Sequence, residues 1–124
     1  MAGEITVTAS LKCTNAAFIL PQLGAAAQTI NQSTIGGGSP GLVSIGTSEE
    51  VVTITDISSL GWCYMKNIDP TNYVTYGPTV SSAMAPFGRL KAGEACVFRL
   101  EPGITLRMQA NTAAVKVWIT VLEA

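Results

Sequence analysis

With 124 residues, the chain is long enough for one domain whose hydrophobic core needs neither disulfides nor a metal. Only 12% of its residues are charged, against about 25% in an average soluble domain, so little repulsion opposes contact between copies and we expect the chain to work inside an assembly. Its formal net charge of −1 and singly scattered lysines and arginines argue against nucleic-acid binding, and the lack of histidine removes Ser-His-Asp and Cys-His nucleophile systems.

The sequence predicts neither a membrane span nor a signal peptide. No apolar run approaches the roughly 20 residues that cross a bilayer. Residues 1–4 are acidic rather than cationic and lead directly into a strand pattern. We therefore expect the protein to be made and used in a cytoplasm, with no membrane partner.

The first strand pattern lies near the N-terminus. Residues 5–13 alternate between apolar and polar side chains, which is typical of a half-buried antiparallel strand. Pro21 follows the apolar residues 18–20 and ends this pairing or places it at an edge. Residues 23–30 contain three consecutive alanines and fit a helical turn, whereas residues 28–35 are rich in β-branched side chains and fit a strand. Both alternatives remain open.

A glycine-rich stretch follows at residues 36–41. It contains neither Gly-Lys-Ser/Thr nor Gly-x-Gly-x-x-Gly, and no helix pattern comes after it, so a phosphate-binding loop is disfavoured. The composition predicts a flexible loop between strands, which is a common place for partner contacts. The candidate contact residues in this loop are Gly36, Gly37, Gly38, Ser39, Pro40 and Gly41.

The middle of the chain is predicted as short strands joined by turns, with strands at residues 42–45, 51–54 and 62–68. Asp-Pro-Thr-Asn at residues 69–72 predicts a hairpin turn at the centre of an antiparallel sheet. The reason is that Asp and Asn side chains can bond their own backbone and Pro fixes φ. Residues 78–86 are predicted as a small-residue loop. Its candidate contact residues are Pro78, Thr79 and Pro86.

The C-terminal third alternates most clearly. Residues 94–100 place Cys96, Phe98 and Leu100 on one face, and residues 105–110 form the next strand. Residues 113–122 are predicted as the last strand, which pairs centrally in a sheet or with the first strand. Its apolar face is formed by Val115, Val117, Ile119 and Val121.

Together these segments give eight to ten short strands and no long helix. This pattern predicts an all-β protein, an antiparallel β-sandwich that is jelly-roll-like. We expect a single domain over residues 1–124, with residues 1–4 as an N-terminal arm and a further candidate contact segment.

Residues that could carry chemistry form no recognisable site. Cys13, Cys63 and Cys96 are far apart in apolar strand patterns and are predicted to be reduced, buried and without metal. The acidic residues lie at turns and strand ends, and Glu49-Glu50 with Asp56 match no calcium loop. We therefore expect no enzymatic activity, no cofactor and no bound metal.

The aromatic residues leave two alternatives. They could form a platform on which sugars or bases stack, or they could fill the core and a subunit interface. Because only 6% of the residues are aromatic, we expect most of them to be needed for packing. The residues in question are Trp62, Tyr64, Tyr73, Tyr76 and Trp118. Cross-strand or intersubunit contacts are likewise expected for Lys66, Asn67, Arg99 and Arg107.

Five segments occur in one order along the chain: residues 46–50, 60–74, 90–94, 99–103 and 110–117. The most specific strings are Lys-Asn-Ile-Asp-Pro-Thr-Asn-Tyr-Val (66–74) and Ala-Asn-Thr-Ala-Ala-Val-Lys (110–116). Over roughly residues 41–122, the chain resembles a group of small β-sandwich proteins encoded in the structural gene clusters of tailed bacteriophages.

The resemblance implies a virion structural protein, assembled in the host cytoplasm. The role it favours is that of a capsid decoration (cement) protein, which binds the major capsid protein or another virion protein and stabilises the head shell by bridging capsomers. It also implies a homo-oligomer, with a trimer as the expected state because such proteins often sit at local three-fold axes. The alternative is a tail- or fibre-associated module that binds a host glycan or receptor. None of the motifs carries a catalytic residue.

Overall fold

A computed structural model describes residues 3–24, 26–32 and 36–123. The chain divides into two compact units, Met1–Ser33 and Thr34–Ala124. Within the described ranges both units consist of antiparallel β-sheets, without a helix, which confirms the all-β prediction. Accordingly, no helix in these ranges is long and apolar enough to cross a membrane. That residues 1–124 form one domain, with residues 1–4 as an arm, stays a prediction.

The first unit contains two separate two-stranded sheets. Strand β1 (Ile5–Val7) pairs with β4 (Gln28–Ile30), and β2 (Ser10–Asn15) pairs with β3 (Phe18–Gly24). The strand predicted over residues 5–13 is therefore two strands with different partners. The helical alternative for residues 23–30 is wrong, because β3 and β4 occupy its two ends. Part of the predicted strand over 28–35, residues 33–35, lies outside the described residues.

The second unit contains two larger sheets. Its described strands are β5 (Gly37–Ile45), β6 (Glu50–Val51), β7 (Leu60–Asn67), β8 (Val74–Val80), β9 (Ala83–Met84), β10 (Gly88–Leu90), β11 (Ala95–Arg99), β12 (Leu106–Ala110) and β13 (Val115–Glu123). The four-stranded sheet has the order β11-β7-β13-β5. The five-stranded sheet has the order β10-β8-β12-β6, with β9 paired to β8.

The strand pairs are nested. Strand β5 pairs with β13, β6 with β12, β7 with β11 and β8 with β10, so the first strand of the unit meets the last and the pairs close inward. Two four-stranded sheets formed from such nested pairs have the topology of a jelly roll. Strand β9 is an additional strand at one of these sheets. This confirms the predicted jelly-roll-like sandwich. Strand β13 lies between β5 and β7, which agrees with the central position expected from its apolar length.

The core of the second unit lies between the two sheets. Side chains of β13 alternate between buried and more exposed positions, and Val115, Val117, Ile119 and Val121 are all fully buried. They pack in one cluster with residues of the opposite sheet such as Met108 and Val74. Each such side chain contributes about 1.5–3 kcal/mol through burial, so this cluster is the main source of stability.

The Asp-Pro-Thr-Asn segment does not form the predicted hairpin. It connects β7 in the four-stranded sheet to β8 in the five-stranded sheet, so the two strands do not pair. The expected local chemistry is nevertheless present, because Asp69 Oδ1 accepts hydrogen bonds from the backbone N–H groups of Thr71 (2.8 Å) and Asn72 (2.7 Å). Such a turn fixes where the chain changes direction but leaves open which strand the next segment joins.

The predicted loop at residues 36–41 is mostly strand. Gly37–Ile45 forms β5, and Ser39, Pro40 and Gly41 lie opposite Val121, Thr120 and Ile119. The long apolar strand β13 offers a complete ladder, which outweighs the loop-like composition. Strand β5 is at the edge of its sheet, where a proline without an N–H is tolerated.

The predicted loop at residues 78–86 is also largely strand. Residues 78–80 belong to β8, and β9 pairs with them through Thr79–Met84 and Val80–Ala83. The backbone has positive φ at Ser81 (52°) and Ser82 (64°), as the two central residues of a type I′ hairpin turn require. The sequence pattern missed this hairpin because Ser-Ser is an unusual pair at these positions. A partner-contact role for Pro78, Thr79 and Pro86 stays a prediction.

The three cysteines do not share one environment. Cys63 is buried and Cys96 is half-buried, but Cys13 is exposed, so the prediction that all three are buried is wrong for Cys13. Every residue of its strand, β2, is exposed, whereas Cys63 lies in a central strand of the sandwich.

Candidate functional site: two exposed apolar surfaces

The hairpin β2–β3 has one apolar side. Leu11 lies opposite Leu23, Cys13 opposite Leu20, and Asn15 opposite Phe18. Directly opposed residues in a sheet project from the same side. We call this side, formed by Leu11, Cys13, Phe18, Leu20 and Leu23, the hairpin face. Because side chains alternate along a strand, Lys12 projects from the other side.

The hairpin face is open. Leu11 is 64% exposed, Phe18 61% and Leu23 51%, although each is a large apolar side chain. A single two-stranded hairpin is at best marginally stable in water, because it has no second layer on which to bury such side chains. The arrangement is therefore suited to being covered by another apolar surface.

The second surface is the outer side of the four-stranded sheet. Its side chains alternate with the buried ones of β7 and β13 and point away from the core. Two rows of opposed residues cross all four strands: Ala95, Lys66, Trp118 and Leu42 in one, and Val97, Tyr64, Thr120 and Pro40 in the other. Trp62 opposite Arg99, and Lys116 opposite Ser44, extend this surface at its two ends. We call it the aromatic-basic face.

The aromatic side chains of this face are held in place. The guanidinium carbon of Arg99 lies 5.4 Å from the ring centroid of Trp62, within reach of a cation–π interaction. The indole N–H of Trp118 donates a hydrogen bond to Thr120 Oγ1 at 2.8 Å, and yet 46% of Trp118 is exposed. Tyr64 is 39% exposed. The rings therefore form a fixed surface that is open to a partner.

The charge of the aromatic-basic face has one sign. Lys66, Arg99 and Lys116 are exposed there, which is three of the seven lysines and arginines of the chain. None of the outward positions of β5, β7, β11 and β13 just described is acidic. Nearby carboxylates lie in turns instead, where Asp69 bonds its own turn and Glu94 accepts a hydrogen bond from the Lys91 N–H at 2.8 Å. The face is thus positive on a chain whose net charge is −1.

The five aromatic side chains considered as a stacking platform do not share one environment, and whether any of them stacks on a sugar or base stays a prediction. Trp62, Tyr64 and Trp118 gather on the aromatic-basic face. Tyr76 stacks on Phe98 with ring centroids 6.0 Å apart, and Arg89 lies 4.0 Å above the ring of Tyr73. The alternation of side chains along β7 and along β13 places the rings of Trp62, Tyr64 and Trp118 on one side of their own strands. The pairing that brings β7 and β13 together is not contained in any local pattern.

Two of the three acidic residues considered as calcium ligands, Glu49 and Glu50, have structural partners. Glu49 Oε1 lies 3.0 Å from Arg107 Nη1 and also accepts a hydrogen bond from the Met84 N–H at 2.6 Å. Glu50 Oε2 accepts a hydrogen bond from the Gly46 N–H at 2.9 Å. Among the described residues no group of three or more His, Cys, Asp or Glu side chains is arranged to hold a metal ion.

The buried thiols are poor nucleophiles. Burial raises the pKa of Cys63 to about 12, with a smaller contribution from Cys96. Burial likewise raises the pKa of Cys96 and raises that of Tyr76 to about 12. A thiol reacts as its thiolate, so these groups stay protonated and unreactive near neutral pH.

A cluster of asparagines, which the sequence analysis did not identify as a structural centre, joins the two most specific strings. Asn67 is fully buried, and its Nδ2 donates to the carbonyls of Asn72 (2.9 Å) and Leu90 (3.0 Å). Thr112 Oγ1 donates to Asn72 Oδ1 at 2.9 Å, which links residues 66–74 to residues 110–116. Hydrogen bonds thus connect the two strings at one end of the sandwich, and the role of these residues is structural.

An apolar hollow of about 380 Å³ lies at the sandwich beside the exposed ring of Phe87. Its lining is mostly apolar: Tyr76, Pro78, Phe87, Phe98, Ile104 and Leu106, with Arg99 and Glu101 as the charged members. Such a lining suits an apolar group better than a polar substrate.

The predicted contact segments do not converge on one surface. Pro40 lies on the aromatic-basic face, whereas Pro78 and Thr79 belong to the other sheet of the sandwich. In the N-terminal segment, the Gly3 N–H donates to Asn31 Oδ1 at 2.7 Å and Glu4 Oε2 accepts from the Gln32 N–H at 3.2 Å, while residues 1–2 lie outside the described residues.

Comparison of the chain with protein-family models, with curated proteins and with solved structures finds no match.

Proposed function

We propose that the chain is a virion structural protein, and specifically a capsid decoration protein that stabilises a bacteriophage head shell. The observation that carries the proposal is the open hairpin face, because soluble monomers rarely expose contiguous apolar surface of this kind. The low content of charged residues and the rigid jelly roll support the same conclusion. A decoration protein with these features needs no catalytic site.

Self-association is the first part of the proposal. The hairpin face contains no charged side chain, so copies can bring these faces together without opposing like charges. Packing of the hairpin faces of several copies around a shared axis also supplies the apolar neighbours that each hairpin lacks. The protein is therefore a homo-oligomer, with a trimer as the state that fits a local three-fold position on a shell.

Attachment to the shell is the second part. In this proposal the oligomer assembles in the host cytoplasm, binds the major capsid protein or another virion protein, and bridges neighbouring capsomers. Several weak contacts repeated by symmetry give strong attachment without a high charge. The work of the protein is mechanical resistance to the pressure of the packed genome.

The proposal is tested on particles of the phage whose genome carries this sequence. Particles that lack the chain should lose heat resistance, and adding the purified protein should restore it. Electron microscopy of the restored particles should locate the chain on the head. Normal heat resistance without the chain, or density at the tail only, would contradict the decoration role.

Self-association has its own test with matched variants. Phe18→Lys changes the hairpin face, whereas Ile19→Lys changes the neighbouring side chain on the opposite side of the same strand, where Ile19 is 69% exposed. Light scattering should show that Phe18→Lys lowers the molecular mass to that of a monomer and that Ile19→Lys does not. Equal masses for both variants would remove the hairpin face from the interface.

A second candidate function is supported by one observation. The exposed rings of Trp118 and Tyr64 beside Trp62 form an aromatic platform, which a tail- or fibre-associated module could use to bind a host glycan. Saturable binding to host polysaccharide that is lost in Trp118→Ala would favour this alternative.

A further inference from the structure

We propose that the aromatic-basic face is the surface that docks onto the shell, and that its occupant is an acidic protein surface. This inference rests on the decoration role proposed above, and it assigns the side of the molecule and the chemistry of the partner. Three properties of the face support this assignment: its positive charge, its exposed aromatic side chains and its difference in charge from the hairpin face.

Charge determines the chemistry of the partner. Lys66, Arg99 and Lys116 project from a sheet surface whose other outward residues are neutral. An acidic surface complements these cations, steers the encounter and fixes the register of the two proteins. A neutral or basic partner would leave the three cations unpaired as the interface loses water.

The aromatic residues provide the anchors. Trp, Tyr and Arg are the residue types that most often dominate the binding energy at the centre of protein interfaces. Here Trp118 of β13 lies opposite Lys66 of β7, and Tyr64 of β7 lies opposite Thr120 of β13. The two rings are therefore on adjacent central strands. Because they project from paired strands rather than from loops, little conformational entropy is lost when a partner covers them.

A second copy of the chain is a poor occupant of this face. Packing two such faces together would place the cations of one copy against those of the other. Such like charges oppose association. The hairpin face has no such restriction, because it is uncharged. The molecule therefore has two surfaces that differ in partner: a neutral one for its own copies and a positive one for the shell.

Nucleic acid is also a poor occupant. Three cations neutralise about three phosphates, and counterion release then gives only a weak, steeply salt-dependent affinity. The remainder of the chain is net acidic, so it adds no attraction for a polyanion. An acidic protein surface offers both carboxylates for the cations and apolar contacts for the rings.

The test uses shells stripped of this protein and the purified full chain, in a co-sedimentation assay with a titration of salt. The double variant Lys66→Glu/Lys116→Glu should bind the shells at least about tenfold more weakly, and Trp118→Ala should also weaken binding. The control Lys12→Glu/Lys91→Glu changes the net charge equally at residues that are not members of this face, so it should bind within about twofold of the wild type. Wild-type binding should weaken as salt rises.

Each result has one meaning. If the wild type does not bind stripped shells, the decoration role fails and the docking surface fails with it. If the wild type binds and both double variants bind equally, the decoration role stands and the docking surface is overturned. A lower molecular mass of the Lys66→Glu/Lys116→Glu variant in light scattering would make the face a contact between copies. Tight binding of a single-stranded oligothymidylate that this variant loses would make it a nucleic-acid surface.

Discussion

Tyr73 and Asn111 exchange two hydrogen bonds. The Tyr73 N–H donates to Asn111 Oδ1 at 3.1 Å, and the Asn111 N–H donates to the Tyr73 carbonyl at 3.2 Å. Tyr73 immediately precedes β8, and Asn111 immediately follows β12. The two residues therefore extend the pairing of these strands beyond their last paired residues. The strings at residues 66–74 and 110–116 are therefore parts of one structural unit.

The buried amide of Asn67 should be a large contributor to stability. Asn67→Ala leaves the Leu90 carbonyl and the Asp69 N–H without their side-chain partners, and we expect the free energy of unfolding to fall by about 2–3 kcal/mol. Chemical denaturation measures this change. Asn15→Ala, which removes a single exposed bond to the Ala17 N–H, should cost less than about 0.5 kcal/mol. Equal effects of the two substitutions would contradict this role.

Acid should destabilise the fold through Glu123. The Ser58 hydroxyl, together with the N–H groups of Ser59 and Ser58, holds the pKa of this carboxyl below its ordinary value. Because the folded-state pKa is lowered, the stabilisation is complete above the unfolded pKa of about 4 and is lost as pH falls through the folded value.

We therefore expect the melting temperature to decrease below about pH 4, and Ser58→Ala to make that decrease shallower. Thermal unfolding monitored by circular dichroism at successive pH values measures the slope. Ser48→Ala, at an exposed position, should retain the wild-type slope. An unchanged slope in Ser58→Ala would mean that this hydroxyl does not set the pKa of Glu123.

Gly77 should not tolerate a side chain. A Cβ at this position would overlap the carbonyl oxygen of Ala85, which lies in backbone rather than in a movable side chain. We expect Gly77→Ala to lower the free energy of unfolding by about 1–3 kcal/mol, as measured by denaturation. At Gly36 an added Cβ would meet only ordinary contacts with Glu123, so Gly36→Ala should be nearly neutral. A neutral Gly77→Ala would show that the β8–β9 hairpin moves to accommodate it.

The three thiols should label at different rates. Cys13 is exposed and should react quickly with a maleimide in dilute, dissociated protein, whereas Cys63 should react only when the chain unfolds. Mass spectrometry of peptides after timed labelling separates the sites. Because Cys13 lies on the hairpin face, its labelling should slow as protein concentration rises if that face joins the copies. Fast labelling of Cys63 in folded protein would contradict its burial.

The ion pair between Glu49 and Arg107 should stabilise the five-stranded sheet. The side chains are 29% and 19% exposed, and Arg107 Nε also donates to Thr79 Oγ1 at 2.8 Å. We expect Arg107→Ala to cost about 1–3 kcal/mol in urea denaturation, since hydrogen bonds of a partly buried charged group are lost together. Arg89→Ala removes an arginine that stacks on Tyr73, and it should cost about 1 kcal/mol or less. A larger loss in Arg89→Ala would reverse this ranking.

The strands of the sandwich were largely predictable because burial on one side imposes a period of two. Strand β13 is the clearest case, since Val115 and the alternate residues after it are buried and Lys116 and Trp118 are not. Cys96 and Phe98 in β11 share one side, as predicted, and that side is the inner one. Local alternation could not show which strands pair, so the crossing between the sheets at Asp69 was mistaken for a hairpin.

Amino-acid composition led to wrong predictions where strand pairing determines the structure. The glycines at positions 37, 38 and 41 suggested a loop, but a neighbouring strand with free backbone groups made this segment an edge strand. Cys13 was predicted buried from the apolar pattern of its strand, and that strand has no second layer within the described residues. The aromatic-basic face was unpredictable for the same reason: its members come from strands that meet only in the folded sheet.

The pairing of β5 with β13 also has a consequence for synthesis. Strand β13 begins 78 residues after β5, so at about 5–20 residues per second the ribosome delivers it roughly 4–16 s later. During this interval β5 has no strand to pair with, and the central position of its sheet is vacant. The aromatic-basic face includes Lys116 and Trp118 of β13, and therefore it does not exist on a truncated product. Under the decoration role proposed above, only a chain translated through its last strand can then bind to the shell.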